Sequence, residues 1–383
     1  MSSIISSMST AQIANLSITQ MAALGTSDIV EFSTTQLAVL SPTQVAALET
    51  TDIAAFSTSQ LSLGWSTSQI NALSANQFAA FTTNQLANGL STTHLSNART
   101  TQIAALTTKQ IALGLSSSHI VALSSSQVAS FSATQAQAFT TSQLANMESS
   151  DLAALRTSAI ASLNTTQISN LASSQLQALS TSQIAALNSS QLRSLSLEQI
   201  DALNSSQVFA LRSSQVQALS TSQIAQLSTS QIAALSSSGL DSFTTTQLDA
   251  LSSNQIAAIE SSDLAALSTG RIAALSSSQI SQLTSTQVAA LRSSEIAALG
   301  SSQIVNGLIQ LPAMSSSWIA NLMTRQIAVL SSSQVAALET SQLSNFKTSQ
   351  IAALTSSQLA ELSSSQIQVL TSSHMNALAT NCI

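Results

Sequence analysis

The stretch that decides the fold is LSTSQIAQLSTSQIAAL at residues 219–235, where one eight-residue phrase occurs twice. The same phrase, with small variations, runs along almost the whole chain. Between Ser116 and Leu299 its register does not slip over 184 residues, which is 23 repeats. A period this short must be interpreted before any local motif. It predicts one continuous repeat architecture in place of the roughly two or three domains that a chain of this length would otherwise form.

The eight positions, counted along Ser-Thr-Ser-Gln-Ile-Ala-Ala-Leu, separate into buried and exposed sites. Position five is almost always Ile, Leu or Val, and position eight is Leu or Phe, so these two positions predict the core. Charged residues are costly inside a protein, and positions one and six accept them, so both positions are predicted to face water. The charged residues are Glu49, Glu148, Arg156, Arg212, Glu260, Arg292 and Lys347 at position one, and Arg193, Asp201, Asp241 and Asp249 at position six.

The spacing of the apolar residues favours helix over strand. Inward-facing residues of a strand are two apart, whereas positions five and eight are three apart and share one face of a helix. Ser or Thr followed three residues later by Gln is a capping box. A cap at position one places Gln at N3, a cap at position two uses its hydroxyl on the following amides, and the sequence leaves both open. One short helix per repeat is predicted, with a three-sided β-solenoid as the alternative.

The chain is predicted to turn at every Ser/Thr cluster. Eight residues at ~100° each rotate the apolar pair by ~80° per repeat, which leaves no common stripe on one long helix. Three nine-residue repeats begin at Ser57, Thr82 and Thr107, 25 residues apart, so one repeat of nine plus two of eight completes a cycle. This spacing predicts an all-α solenoid with about three repeats per turn.

The nine-residue repeats share an additional glycine just before the last apolar residue. A glycine at that place is typical of a left-handed C-cap that ends a helix. The four glycines are Gly64, Gly89, Gly114 and Gly307.

One segment breaks the rhythm. Residues 309–314 read Ile-Gln-Leu-Pro-Ala-Met, where Pro312 cannot continue a helix, and the next repeat begins at Ser315. The predicted organisation is a continuous solenoid over residues 1–308, a Pro-containing interruption at 309–314, and a continuation of the same solenoid over 315–383.

Composition argues against several classes of partner and compartment. Only 6% of residues are charged and the net charge is -6, so no basic surface for nucleic acid is expected. Ser or Thr interrupts each apolar stretch well before the roughly 18 residues of a membrane span. The first eight residues lack a positive n-region and a continuous apolar core, so no cleaved signal peptide is predicted. The single cysteine, Cys382, excludes an internal disulfide framework.

Candidate chemistry is confined to position four, where Gln is usual. His94 and His119 are 25 residues apart and are expected one turn apart, but no carboxylate or cysteine completes a ligand set, so no metal site is predicted. Neither a Gly-x-Ser-x-Gly elbow nor a Ser, His and acid set is evident, so no catalytic residue, no cofactor and no enzyme activity are predicted. The substitutions at position four are Asp28, Asp52, Asp151, Asp263, Glu295, His94, His119 and His374.

The repeated string Leu-Ser-Thr-Ser-Gln-Ile-Ala-Ala-Leu, as at Leu227 to Leu235, resembles the low-complexity arrays of large bacterial secreted or surface proteins described as adhesin-like. The resemblance covers nearly the entire chain. It implies an extracellular or cell-surface location and a structural or adhesive role, and it supplies no catalytic residues.

Two further features bear on function. Rows of Ser/Thr hydroxyls with a ladder of Gln predict neutral polar edges suited to lateral association, carbohydrate or ordered water. Neither Met1 to Met8 nor Ala379 to Ile383 has the polar outer face of a capping repeat, so the ends are expected to stack on another copy. The predicted function is therefore a filament or sheath subunit that assembles head to tail. The alternative is an adhesin or a glycan- or ice-binding rod that uses its Ser/Thr edges.

Overall fold

A computed structural model of the chain describes residues 4–308 and 311–379. These ranges contain 44 α-helices of four to eight residues and no strand. They form two compact bodies, residues 1–202 and residues 203–383. The prediction of an all-α repeat fold is confirmed, and the β-solenoid alternative has no support in the described residues.

The N-terminal body begins with a 3₁₀ helix at Ile5–Ser7, which α1 to α24 follow. In chain order these helices span Thr10–Ala14, Ile18–Ala22, Thr26–Ile29, Thr34–Ala38, Pro42–Ala46, Thr50–Ala55, Thr58–Gly64, Thr67–Ala72, Ala75–Ala79, Thr83–Asn88, Thr92–Ser96, Thr100–Ile103, Thr108–Gly114, Ser117–Val121, Ser125–Val128, Ala133–Gln137, Thr141–Asn146, Ser149–Ala154, Thr157–Ser162, Thr165–Ser169, Ser173–Ala178, Thr181–Ala186, Ser189–Arg193 and Leu197–Asp201.

The C-terminal body contains α25 to α44, with two irregular helices between α36 and α37. Helices α25 to α36 span Ser205–Phe209, Ser213–Ala218, Thr221–Gln226, Thr229–Ala233, Ser237–Asp241, Thr245–Asp249, Ser253–Ala257, Ser261–Leu264, Thr269–Ala274, Ser277–Ser281, Ser285–Ala290 and Ser293–Ala298. A π-helix at Gln303–Gly307 and a 3₁₀ helix at Leu311–Ala313 follow. Helices α37 to α44 span Ser316–Ile319, Thr324–Val329, Ser332–Ala336, Thr340–Leu343, Thr348–Ala352, Ser356–Ala360, Ser364–Gln368 and Ser372–Ala379.

Each helix starts at a capping box whose N-cap is position one. At α4 the Oγ of Ser33 accepts a hydrogen bond from the backbone N–H of Gln36 at 3.2 Å. The Oε1 of Gln36 in turn accepts one from the backbone N–H of Ser33 at 2.8 Å. Of the two cap positions that the sequence left open, the first is therefore correct. The helix ends before position eight, whose backbone is extended, as at Leu219 with φ -62° and ψ 142°.

Within each body, a helix packs against the helix three places along the chain. In the N-terminal body α4 packs on α7, α7 on α10 and α10 on α13. In the C-terminal body α25 packs on α28 and α28 on α31. One turn of each solenoid therefore contains three repeats, as the 25-residue spacing predicted. An isolated eight-residue helix is too short to be stable in water, so this stacking of apolar faces supplies the stability.

The predicted left-handed glycine caps are wrong, because no described glycine has a positive φ. The glycines of the nine-residue repeats instead permit close approach of the helix in the preceding turn. A Cβ on Gly64 of α7 would lie 3.0 Å from the Cβ of Leu37 and 3.2 Å from the Cα of Thr34, both in α4. A Cβ on Gly307 would lie 2.8 Å from Cγ2 of Ile280 in α34. The additional residue thus coincides with a narrower gap between stacked helices.

The segment that contains Pro312 packs as a shortened repeat. Leu311 and Met314 are three residues apart, like positions five and eight, and they are 1% and 4% exposed. Pro312 occupies position six and faces solvent. The Nε2 of Gln342 donates to the carbonyls of Leu311 and Met314 at 3.0 and 2.6 Å, as another Gln does for a full repeat. The solenoid therefore accommodates this segment with the same contacts.

Candidate functional site

The side chain at position four joins successive turns of the solenoid, an arrangement called here the Gln bridge. In α31, the Oε1 of Gln255 accepts a hydrogen bond from the N-cap N–H of Ser252 at 2.8 Å. Its Nε2 donates to the carbonyls of Ile224 and Leu227 at 3.1 and 2.7 Å. Those carbonyls belong to positions five and eight of the repeat four places earlier. One amide group thus satisfies the start of its own helix and the end of a helix in the preceding turn.

The Gln bridge is buried, which corrects the expectation of a Gln ladder on the surface. Gln102 is fully buried, and Gln255 is 3% exposed. A buried amide is stabilising only when its donors and acceptor are paired, and the bridge pairs them. The polar edge of the solenoid therefore consists of the Ser and Thr residues alone.

His94 and His119 take the place of Gln on stacked helices α11 and α14. The Nδ1 of His94 accepts from the N–H of Ser91 at 3.2 Å, and its Nε2 lies 3.1 Å from the carbonyl of Trp65. This pair of partners requires the neutral tautomer with the proton on Nε2. Burial lowers the pKa of both imidazoles, and the hydrogen bonds to the carbonyls of Trp65 and Leu90 oppose that effect only in part. The two histidines are bridge residues, as a polar substitution at a cap position requires.

Other substitutions preserve the hydrogen bond by different chemistry. Trp318 donates its Nε1–H to the carbonyl of Val288 at 2.8 Å, as a Gln amide would. Glu295 cannot donate, and Arg292 at position one compensates by bonding both the Glu295 carboxylate and the carbonyl of Leu267. Sequence reasoning missed this role of position four. The available signal was that position four keeps a polar side chain next to the two apolar core positions.

Acidic residues at position four lose the donor half of the bridge. Asp52 is 1% exposed and accepts from the N–H of Glu49 at 3.0 Å. Burial raises the pKa of its carboxyl group, and the negative charges of Glu49 and Asp28 raise it further, whereas the Glu49 hydrogen bond lowers it. Asp151 and Asp263 instead accept from the hydroxyls of serines one turn earlier, both at 2.5 Å.

No group of three or more His, Cys, Asp or Glu side chains suited to a metal ion occurs in residues 4–308 and 311–379. His94 and His119 do lie one turn apart, as predicted, but their ring nitrogens face backbone groups. His374, the third histidine, has its Nδ1 3.4 Å from the N–H of Thr371 at a helix start. The position of Cys382 lies outside the described residues.

The exposed surface is formed largely by the Ser and Thr residues of positions one to three. Some hydroxyls contact those of the next turn, as where the Oγ atoms of Ser117 and Ser142 lie 3.3 Å apart. Between α20 and α23 an open groove of ≈ 590 Å³ is lined mainly by neutral polar side chains, among them Asn164, Asn188 and Ser189. The side-chain oxygens of both asparagines accept hydrogen bonds from N3 amides, so these residues serve first as helix caps.

The two ends of the described chain expose groups that are satisfied elsewhere. Position-five residues are at most 2% exposed from Ile5 to Ile351, whereas Ile367 and Met375 near the C-terminal end are 46% and 48% exposed. Near the N-terminal end Ile18 is 58% exposed. Each end therefore presents apolar surface that the interior turns cover by stacking.

A family model described as ALTTAQ repeat matches this chain in eight overlapping or separate stretches, which together span more than half of it. The chain belongs to the ALTTAQ repeat family. The matches cover residues 19–50, 45–83, 144–181, 178–213, 205–237, 256–293, 335–372 and 343–380. The six letters correspond to positions seven, eight and one to four of the repeat, as in ALTTKQ at residues 105–110. Membership in the ALTTAQ repeat family thus confirms the repeat array.

Two other comparisons add no functional information on this ALTTAQ repeat protein. No curated protein matches it. Among solved structures, a leucine-rich repeat-containing protein from Legionella pneumophila is similar at 13% identity over 63% of this chain and 76% of its own. The TM-score of 0.21 is too low for that similarity to bear on the fold. Among the described helices, none combines the length and the apolar character needed to cross a membrane.

Proposed function

We propose that this protein is a structural subunit of an extracellular or cell-surface filament or sheath, and that copies assemble through the ends of the solenoid. The observation that carries the proposal is the exposure of Ile367 and Met375 at a position that is otherwise buried. Monomeric soluble proteins rarely leave such apolar surface uncovered, and a solenoid covers it by adding another turn. The interior supports a structural role, because its polar side chains are committed to holding one turn on the next.

Electron microscopy and light scattering at increasing protein concentration test the assembly. Filaments that lengthen with concentration are the expected result, and dispersed monomers at every concentration would remove the proposal. Fractionation of cells that produce the protein, with antibody detection on intact cells, tests the location. Recovery of the protein only from the cell interior would contradict an extracellular or surface role. No catalytic step is part of the proposal, since the serine hydroxyls of position one serve as helix caps.

A second candidate function is an adhesin or a glycan- or ice-binding surface. The observation in its favour is the exposure of Ser and Thr at positions one to three, together with the polar groove between α20 and α23. Its apolar counterpart is missing there, since none of the groove-lining side chains is aromatic and sugar rings pack well on aromatic faces. A glycan array and an ice-recrystallisation assay test this candidate, and blank results in both would exclude it.

A further inference from the structure

The proposed assembly needs a direction and a register, and both are encoded in unpaired backbone and amide groups at the two ends. Gln12 and Gln20 are exposed, and each uses Oε1 to accept from its own N-cap N–H at 2.8 Å. Within residues 4–308 and 311–379, their Nε2 groups have no acceptor, because no repeat lies four places earlier. Two bridge donors therefore face outward from the N-terminal end.

The C-terminal end carries the matching acceptors. The carbonyls of Leu354, Leu362 and Leu370 occupy position eight of three repeats near that end. In interior repeats this carbonyl accepts the Nε2 of a Gln four repeats later, as Leu338 accepts from Gln366 at 2.7 Å. Among the described residues, these three carbonyls receive no such donor. The end thus presents three acceptors in the geometry that a bridge recognises.

Resting on the function proposed above, we infer that a second copy of this chain continues the repeat array, with its N-terminal end on the C-terminal end of the first. Counting four repeats back across the junction assigns Gln12 to the carbonyl of Leu362 and Gln20 to that of Leu370. Counting three repeats back stacks residues 9–16 and 17–24 of the second copy over Ile367 and Met375. One register therefore pairs both donors and covers both exposed apolar residues.

The charge of the two surfaces favours this contact. The first ionisable side chain in the sequence is that of Asp28, so the first three repeats carry none. The repeats that begin at Ser363 and Thr371 carry only His374, whose ring is buried. Burial of the junction therefore desolvates no exposed charge, which removes the largest cost of forming an apolar interface.

Two pairs of substitutions test the inference, because each disables one end. Q12E/Q20E keeps the acceptor oxygen for the N-cap and removes the donor from the N-terminal end. I367Q/M375Q makes the C-terminal end polar at helix positions that are already half exposed. Q226E is the matched control, since Gln226 is an exposed glutamine at the end of α27, far from either end. All variants are made with Cys382→Ser, so that no disulfide joins the copies, and circular dichroism verifies equal helix content.

Sedimentation velocity then reports the size of each species alone and after mixing. We expect the control to assemble like the parent, and each end variant to require at least a tenfold higher concentration. An equimolar mixture of the two end variants should form a heterodimer and stop there, because each partner has one intact end. Self-association of either end variant at the parental concentration would overturn the head-to-tail register while filament formation stands. A parent that stays monomeric would instead overturn the proposed function itself.

Discussion

Replacement of Gln255 by Met is the most direct test of the Gln bridge. Met has nearly the same length and volume as Gln, and it removes the donor and the acceptor together. The change breaks the contacts to the N–H of Ser252 and to the carbonyls of Ile224 and Leu227. The carbonyl of Ile224 keeps a second donor, the N–H of Leu227 at 3.2 Å, so Ser252 and Leu227 bear most of the loss.

The magnitude follows from the number of bonds. A buried hydrogen bond contributes about 1 kcal/mol net, and an orphaned buried partner costs about 1 to 3 kcal/mol. Three broken bonds that orphan two groups therefore predict a loss of about 3 kcal/mol in the free energy of local unfolding. Each repeat of a solenoid is held mainly by its neighbours, so the loss is expected near the junction of α27 and α31.

Native-state hydrogen exchange measures this local free energy. Amides in α27 and α31 should lose about 100-fold in protection, because 1.36 kcal/mol corresponds to a factor of ten. Gln226→Met is the control: it makes the same chemical change at an exposed site of α27 and should alter protection by less than about twofold. Equal effects of the two substitutions, or a Q255M effect below about threefold, would refute a load carried by the bridge amide.

Three other outcomes follow from named contacts. Burial lowers the pKa of His94 and His119, so the unfolded chain binds more protons in mild acid; protection of α11 and α14 should fall as the pH drops from about 7 to about 5, and His94→Gln should reduce that dependence. Gly307→Ala should lower the melting temperature by a cost of about 1 to 3 kcal/mol, because its Cβ would lie 2.8 Å from Ile280. Gly270→Ala, with nothing within 4 Å, should be neutral or stabilising by up to about 1 kcal/mol. Asp52→Gln should raise the protection of α6 through a restored donor worth about 1 kcal/mol, and it should remove the destabilisation expected as rising pH ionises the buried carboxyl, whose pKa is raised.

Much of the fold follows from local rules. The capping box, the three-residue spacing of the apolar positions and the turn at each Ser/Thr cluster predict one short helix per repeat. The starts at Ser57, Thr82 and Thr107 predict three repeats per turn, because a repeat that is longer by one residue recurs where the stack needs it. These inferences succeed since capping and amphipathicity depend on residues within one repeat.

The glycines show where local rules fail. Gly64 and Gly307 were expected to be left-handed caps, yet both have negative φ and lie where a stacked helix approaches closely. A close contact and a left-handed turn favour the same residue for different reasons, and only the neighbouring turn distinguishes them. Pro312 is a similar case, since the sequence indicates an interruption and packing shows a shortened repeat.

The sequence by itself determined the length of each helix, its cap, its buried pair and the number of repeats per turn, because these depend on contacts within a few residues or on a fixed period. Only the tertiary structure decided what position four does. Gln255 bonds residues about 30 positions earlier, and no local pattern contains that distance. The same contact explains why Gln is buried and why the two ends are left with unpaired groups.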